Sequence, residues 1–156
     1  MATPNQTPAQ QAFVMKVIWG AFTFSQLIYL YVIYTLQKSG APANPNSQLQ
    51  LWGPAIFDGL ISIVVFWKNL SAAGLTKLFD GVDPKLAAGK AFPLYIICWG
   101  LNESVSVMGF VTAFHGDKSP MTLAPYTVAG VILNLFMFPK IDKFLRGPSD
   151  SQGPVL

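Results

Sequence analysis

The stretch FPLYIICWGLNESVSVMGFVTAF, residues 92–114, decides the fold. It carries one charged side chain, Glu103, which is also the only glutamate in the chain. At about 1.5 Å of rise per residue, a helix wound on this stretch crosses a hydrocarbon core about 30 Å thick. With successive residues about 100° apart, Trp99, Asn102, Glu103, Ser106, Gly109 and Ala113 share about one third of its circumference. Small residues let helices approach closely, and Asn and Ser hydrogen-bond across such contacts, so this stripe is expected to face protein and not lipid. A carboxylate at that depth is expensive, and it marks Glu103 as the first candidate for function.

Three further apolar stretches lie outside it, at 13–36, 51–70 and 121–138. With 52% hydrophobic and 11% charged residues, a chain of 156 residues cannot hide its apolar surface in a water-soluble fold. The expectation is an all-α integral membrane protein, a four-helix transmembrane bundle, forming one domain over residues 1–156. Residues 1–12 and 147–156 are read as flexible ends. The first stretch has no basic start and no small-residue cleavage pattern after it, so it is read as a retained helix and not a signal peptide.

Charge sets the orientation. With four crossings, one side holds Lys16, Lys68, Lys77, Lys85, Lys90, Lys140, Lys143 and Arg146, and the other holds Lys38 and Lys118. Basic residues gather on the cytoplasmic side, which puts both termini in the cytoplasm, with a bacterial inner membrane as the expected location. Trp19, Trp52, Trp67, Tyr95 and Tyr126 fall toward helix ends and are read as headgroup-level rings. The net charge of +3 is explained by this topology, so the lipid bilayer is the expected partner and nucleic acid is not. The segment from Lys140 to Arg146 alternates basic and apolar residues and is expected to run along the membrane surface.

Enzyme chemistry finds no footing. Cys98 is the only cysteine and His115 the only histidine, and no nucleophile and base stand at a recognisable spacing. The segment from Gly81 to Gly89 lacks the spacing and ending of a phosphate loop. No catalytic residue, metal site or cofactor is expected. Asp58 in the second stretch and Glu103 in the third lie at depths that differ by only about 6 Å. They are candidate neighbours, and two adjacent carboxylates in a low-dielectric interior would share a proton. The alternative is a protonated Glu103 that simply donates a hydrogen bond to a backbone carbonyl, to Asn134 or to Gln26. Lys16 and Lys68 are read as anchors whose ammonium groups reach the interface.

The run DPKLAAGK, Asp83 to Lys90, followed by an apolar segment and then LNESVSVMGFVTAF, resembles the second half of subunit c, the proteolipid of rotary ATP synthases. In that family a cytoplasmic loop leads into an outward-running helix whose carboxylate carries a proton or sodium ion. The resemblance, over about residues 83–114, implies that Pro84 and Lys85 lie in the loop and that Glu103 is the ion-binding group, followed by Ser104 as in sodium-using members; Asn102, Ser106 and Asp58 are expected around it from the stripe and from their depth. The second stretch departs from the family, having Phe57, Phe66 and Trp67 in place of a ladder of glycines, and Met108 stands where sodium-using members favour tyrosine. Two functions are therefore expected in parallel. One is a proteolipid-like subunit, assembled as a homo-oligomer or with other membrane subunits, that binds a proton or sodium ion. The other is a structural or assembly subunit of a larger membrane complex with no role in ion transport.

Overall fold

A computed structural model of the chain describes residues 7–44, 51–141 and 144. Every regular element among them is a helix: α1 (Pro8–Lys38), α2 (Trp52–Asn69), α3 (Ala72–Phe79), α4 (Pro84–His115) and α5 (Pro120–Phe136). Two of these, α1 and α4, are long and apolar enough to cross a membrane. A third span is formed if α2 and α3, which meet at a bend of 49°, count as one. The chain is therefore all-helical and suited to a membrane.

Local chemistry sets where the helices begin. α1 starts earlier than its apolar run because Thr7 and Gln10 form a reciprocal capping box and Pro8 fills the first turn, where a missing N–H costs nothing. The expected flexible lead-in is thus helical from Pro8, while residues 1–6 lie outside the described residues. α4 likewise begins at Pro84 and not near Phe92. The Asp83 carboxylate accepts the backbone N–H groups of Lys85 and Leu86, and Pro84 supplies the preset first turn. Pro84 and Lys85, expected in a loop, are helical. α3 was not expected at all. Ser71 caps it, and Gly74 lets it fold tightly back, since a Cβ there would lie 2.6 Å from the Asn69 carbonyl carbon.

α4 is the common neighbour: α1, α2 and α5 all pack along it, whereas α1 and α2 share no contact among the described residues. α1 runs parallel to α4, with Phe22 beside Trp99 and Tyr29 beside Phe110. α5 runs antiparallel, with Tyr126 against Gly109 and Asn134 against Asn102. α2 is also antiparallel, with Phe66 beside Tyr95 and Ser62 against Asn102. α4 and α5 approach tightly at Gly109, where a Cβ would lie 2.4 Å from Tyr126 Cβ. Tyr95, Trp99 and Tyr126 are fully buried. This corrects the expectation of Tyr95 near a helix end: with α4 extended to Pro84, Tyr95 sits three turns inside it and serves the core.

Candidate intramembrane polar site

The centre of α4 places four polar residues, Asn102, Glu103, Ser104 and Ser106, within about one and a half turns. Successive residues project about 100° apart, so Asn102, Glu103 and Ser104 point in three different directions while Ser106 returns close to the face of Asn102. Asn102 points inward and is fully buried. Its Oδ1 accepts from Ser62 Oγ on α2, and its Nδ2 donates to Asn134 Oδ1 on α5 at 2.9 Å and to Met137 Sδ at 3.3 Å. Ser106, one turn on, donates to Gln26 Oε1 of α1 at 3.0 Å. Indole groups close the layer below, with Trp19 Nε1 donating to the Asn134 carbonyl at 2.7 Å and Trp99 Nε1 to the Met137 carbonyl at 3.2 Å. Neutral amides and hydroxyls thus tie all the long helices together in an interior where an unpaired group would be costly.

Glu103 faces α1 and is half-buried. Its Oε1 accepts two hydroxyl protons, from Ser25 Oγ at 2.7 Å and from Tyr29 Oη at 2.8 Å. Ser25 and Tyr29 stand one helical turn apart on α1, so both hydroxyls converge on one carboxylate oxygen. Ser104 faces the opposite helix, donating to Asp58 Oδ2 of α2 while also reaching the Leu101 carbonyl of its own helix. Asp58 too is half-buried. Between these two clusters the flank of α4 is uncovered, because α1 and α2 do not meet: Ile97 is 49% exposed, Val107 37%, and a Cβ on Gly100 would meet nothing within 4 Å.

Set against known protein families, characterised proteins and solved structures, the chain matches none. The site is therefore read from its own geometry.

That geometry gathers the five expected site residues on one level but divides them. Asn102 and Ser106 belong to the buried amide layer, Glu103 to a cluster with α1, and Ser104 with Asp58 to a cluster with α2. No hydrogen bond joins Asp58 to Glu103. Nor do Asn134 and Gln26 reach Glu103, as one alternative expected. They hydrogen-bond Asn102 and Ser106 instead. Ser25 and Tyr29 were missed from the sequence, where they are two hydroxyls among several on α1, alongside Thr23, Tyr31 and Tyr34. Their spacing of four residues was the available signal, and only the parallel packing of α1 on α4 gives it meaning. Chemically, Ser25 Oγ, Tyr29 Oη and the Glu103 carboxylate are the oxygen groups that could hold a proton or a small cation.

Proposed function

We propose that this is a bacterial inner-membrane protein of four spans, with both termini in the cytoplasm, whose working group is Glu103, which binds a proton or a sodium ion in the manner of a proteolipid-like subunit. One observation carries the reading: two hydroxyls of α1 converge on one oxygen of a mid-helix carboxylate beside an uncovered flank of α4. Each hydroxyl is donor and acceptor at once, so Ser25 and Tyr29 can rotate from donating to a carboxylate to offering lone pairs to its acidic proton or to a cation. The uncovered flank gives Glu103 a side on which a second copy or another membrane subunit would sit. The topology is supported by the packing directions, which gather Lys16, Lys68, Lys77, Lys85, Lys90 and Lys140 at one end and leave Lys38 and Lys118 at the other.

The test is labelling of the detergent-solubilised protein with a hydrophobic carbodiimide across a pH series, with and without sodium, mapped by mass spectrometry. Modification concentrated at Glu103 and suppressed by sodium or by high pH is the expected outcome. Labelling of exposed aspartates such as Asp80 and Asp117 with none at Glu103 would overturn it.

A second reading has its own support. The same two hydrogen bonds tie α1 to α4, which is what a structural or assembly subunit would need from Glu103. On that reading Glu103→Gln keeps full activity in the parent complex, because the amide carbonyl still accepts from Ser25 and Tyr29. On the ion-binding reading it keeps the fold and loses activity.

A further inference from the structure

The two half-buried acids stand at one level on opposite edges of the uncovered flank. Glu103 and Ser104 are consecutive on α4, and Asp58 accepts from Ser104, so the two carboxylates differ little in depth. Around the helix axis Gly100 lies about 60° from Glu103 on one side and about 40° from Ser104 on the other, with Val107 and Val111 on the same arc. Among the described residues nothing covers the middle of that arc: Val107 is exposed, and a side chain at Gly100 would meet nothing within 4 Å. Each acid uses one oxygen only. Glu103 Oε2 and Asp58 Oδ1 have no hydrogen-bond partner among the described residues.

Whatever covers the flank must therefore satisfy two acids at mid-helix depth. Lipid tails offer no hydrogen bond, and an acid left against them is costly. A second copy of this chain satisfies both by symmetry. Copies inserted in the same direction and related by a two-fold axis along the membrane normal meet through the same face. The rotation exchanges the two edges of the flank. The Glu103 edge of one copy then lies against the Ser104 and Asp58 edge of the other, at the same level, and the contact occurs twice. Gly100 sits at the centre, where the lack of a side chain lets the two α4 helices approach closely.

We propose that two copies pair through α4 and that Glu103 of each copy shares a proton with Asp58 of the other. One acid of each pair is protonated and donates from its hydroxyl to the carboxylate facing it, because two like charges so close in a low-dielectric interior do not both persist. The carboxylate pair that a single chain does not form is thus completed across the dimer. The proposal rests on the membrane reading above, and it names the group that completes the Glu103 site: Asp58 of a second copy.

Disulfide trapping in native membranes tests the geometry, with Cys98→Ser as the background. Two differently tagged copies are co-expressed, one carrying Glu103→Cys and the other Asp58→Cys, and oxidised with copper phenanthroline. A cross-linked species carrying both tags is expected, at a yield several-fold above that of either variant expressed alone, since the two-fold axis sets neither residue against itself. A mixed yield no greater than that of either variant alone would overturn the proposal. A second measurement keeps both acids in place and follows energy transfer between labelled copies in lipid vesicles. Gly100→Leu is expected to weaken pairing roughly tenfold with helix content unchanged, because in the single copy a side chain there meets nothing within 4 Å. Pairing unaffected by Gly100→Leu, or no pairing of the unmodified chain, would also overturn it. Carbodiimide labelling separates the two claims. Labelling of Glu103 without a mixed cross-link removes the dimer and leaves the ion-binding reading standing, whereas a mixed cross-link without labelling leaves the pairing and removes that reading.

Discussion

α4 carries neutral polar groups on one side and an acid on another, and it treats them differently. Asn102 and Ser106 face the middle of the molecule and are fully buried, while Glu103 and the Asp58 that Ser104 binds are half-buried at the two edges of an uncovered flank. The physical reason lies in what each group costs to enclose. An amide is satisfied by two or three hydrogen bonds to neutral partners, but a charge also loses its solvation, and hydrogen bonds alone do not restore it. So the amides are used to join helices, and the acids are left where something else can still reach them.

The comparison can be broken most severely from the inner side. Gly109→Ala puts a methyl group 2.4 Å from Tyr126 Cβ and 2.5 Å from its Cγ, close to the root of a buried side chain that cannot swing aside. It is expected to cost about 3 kcal/mol or more, read as a collapse of the thermal midpoint in detergent. Next comes Asn102→Ala, which strands Asn134 Oδ1 in the core, leaves Ser62 Oγ only the Gly59 carbonyl of its own helix, and opens a cavity. About 2–4 kcal/mol of stability should be lost, measurable by denaturant titration.

Effects should shrink on the acid side. Tyr29→Phe removes one of two donors from a half-buried carboxylate, for an expected cost of about 1 kcal/mol, read by denaturant titration. Glu103→Gln should change stability least, by less than about 1 kcal/mol, because its carbonyl keeps both hydroxyl partners. If Glu103→Gln instead proved as damaging as Asn102→Ala, the carboxylate would be part of the core framework and the contrast between the two sides of α4 would fail.

Much of the inner side was legible in the sequence. Trp99, Asn102, Ser106, Gly109 and Ala113 recur at helical spacing, and all five are buried as that spacing implies. The outer side was less so. Nothing in the run of aromatics and hydroxyls on α1 singles out Ser25 and Tyr29, because their role depends on which face of α1 meets α4, and α1 has apolar residues all round. Exposed Phe13, Phe24 and Tyr31 lie on its far side. The start of α4 was readable but was passed over: Asp83 followed by Pro84 is a helix-start signal, masked by the charges after it. α3 is only eight residues long and sits among charged positions, so its apolar period has little length in which to show. The seat of Tyr95 was hidden for the same reason as the start of α4, since a ring near the end of an apolar run looks interfacial until the helix is known to continue past it.

That α1 and α2 meet only through the later helices α4 and α5 has a consequence for how the protein is made. A ribosome delivers α1 and α2 to the membrane before residues 102–106 have been polymerised. Until then Ser25, Tyr29, Asp58 and Ser62 have no later helix to bind, and α1 and α2 share no contact of their own among the described residues that would hold them together. Asp58 and Ser62 likewise gain their α4 partners only once Ser104 and Asn102 have been made, so the packing of α1 and α2 should be completed late, after α4 and α5 have arrived.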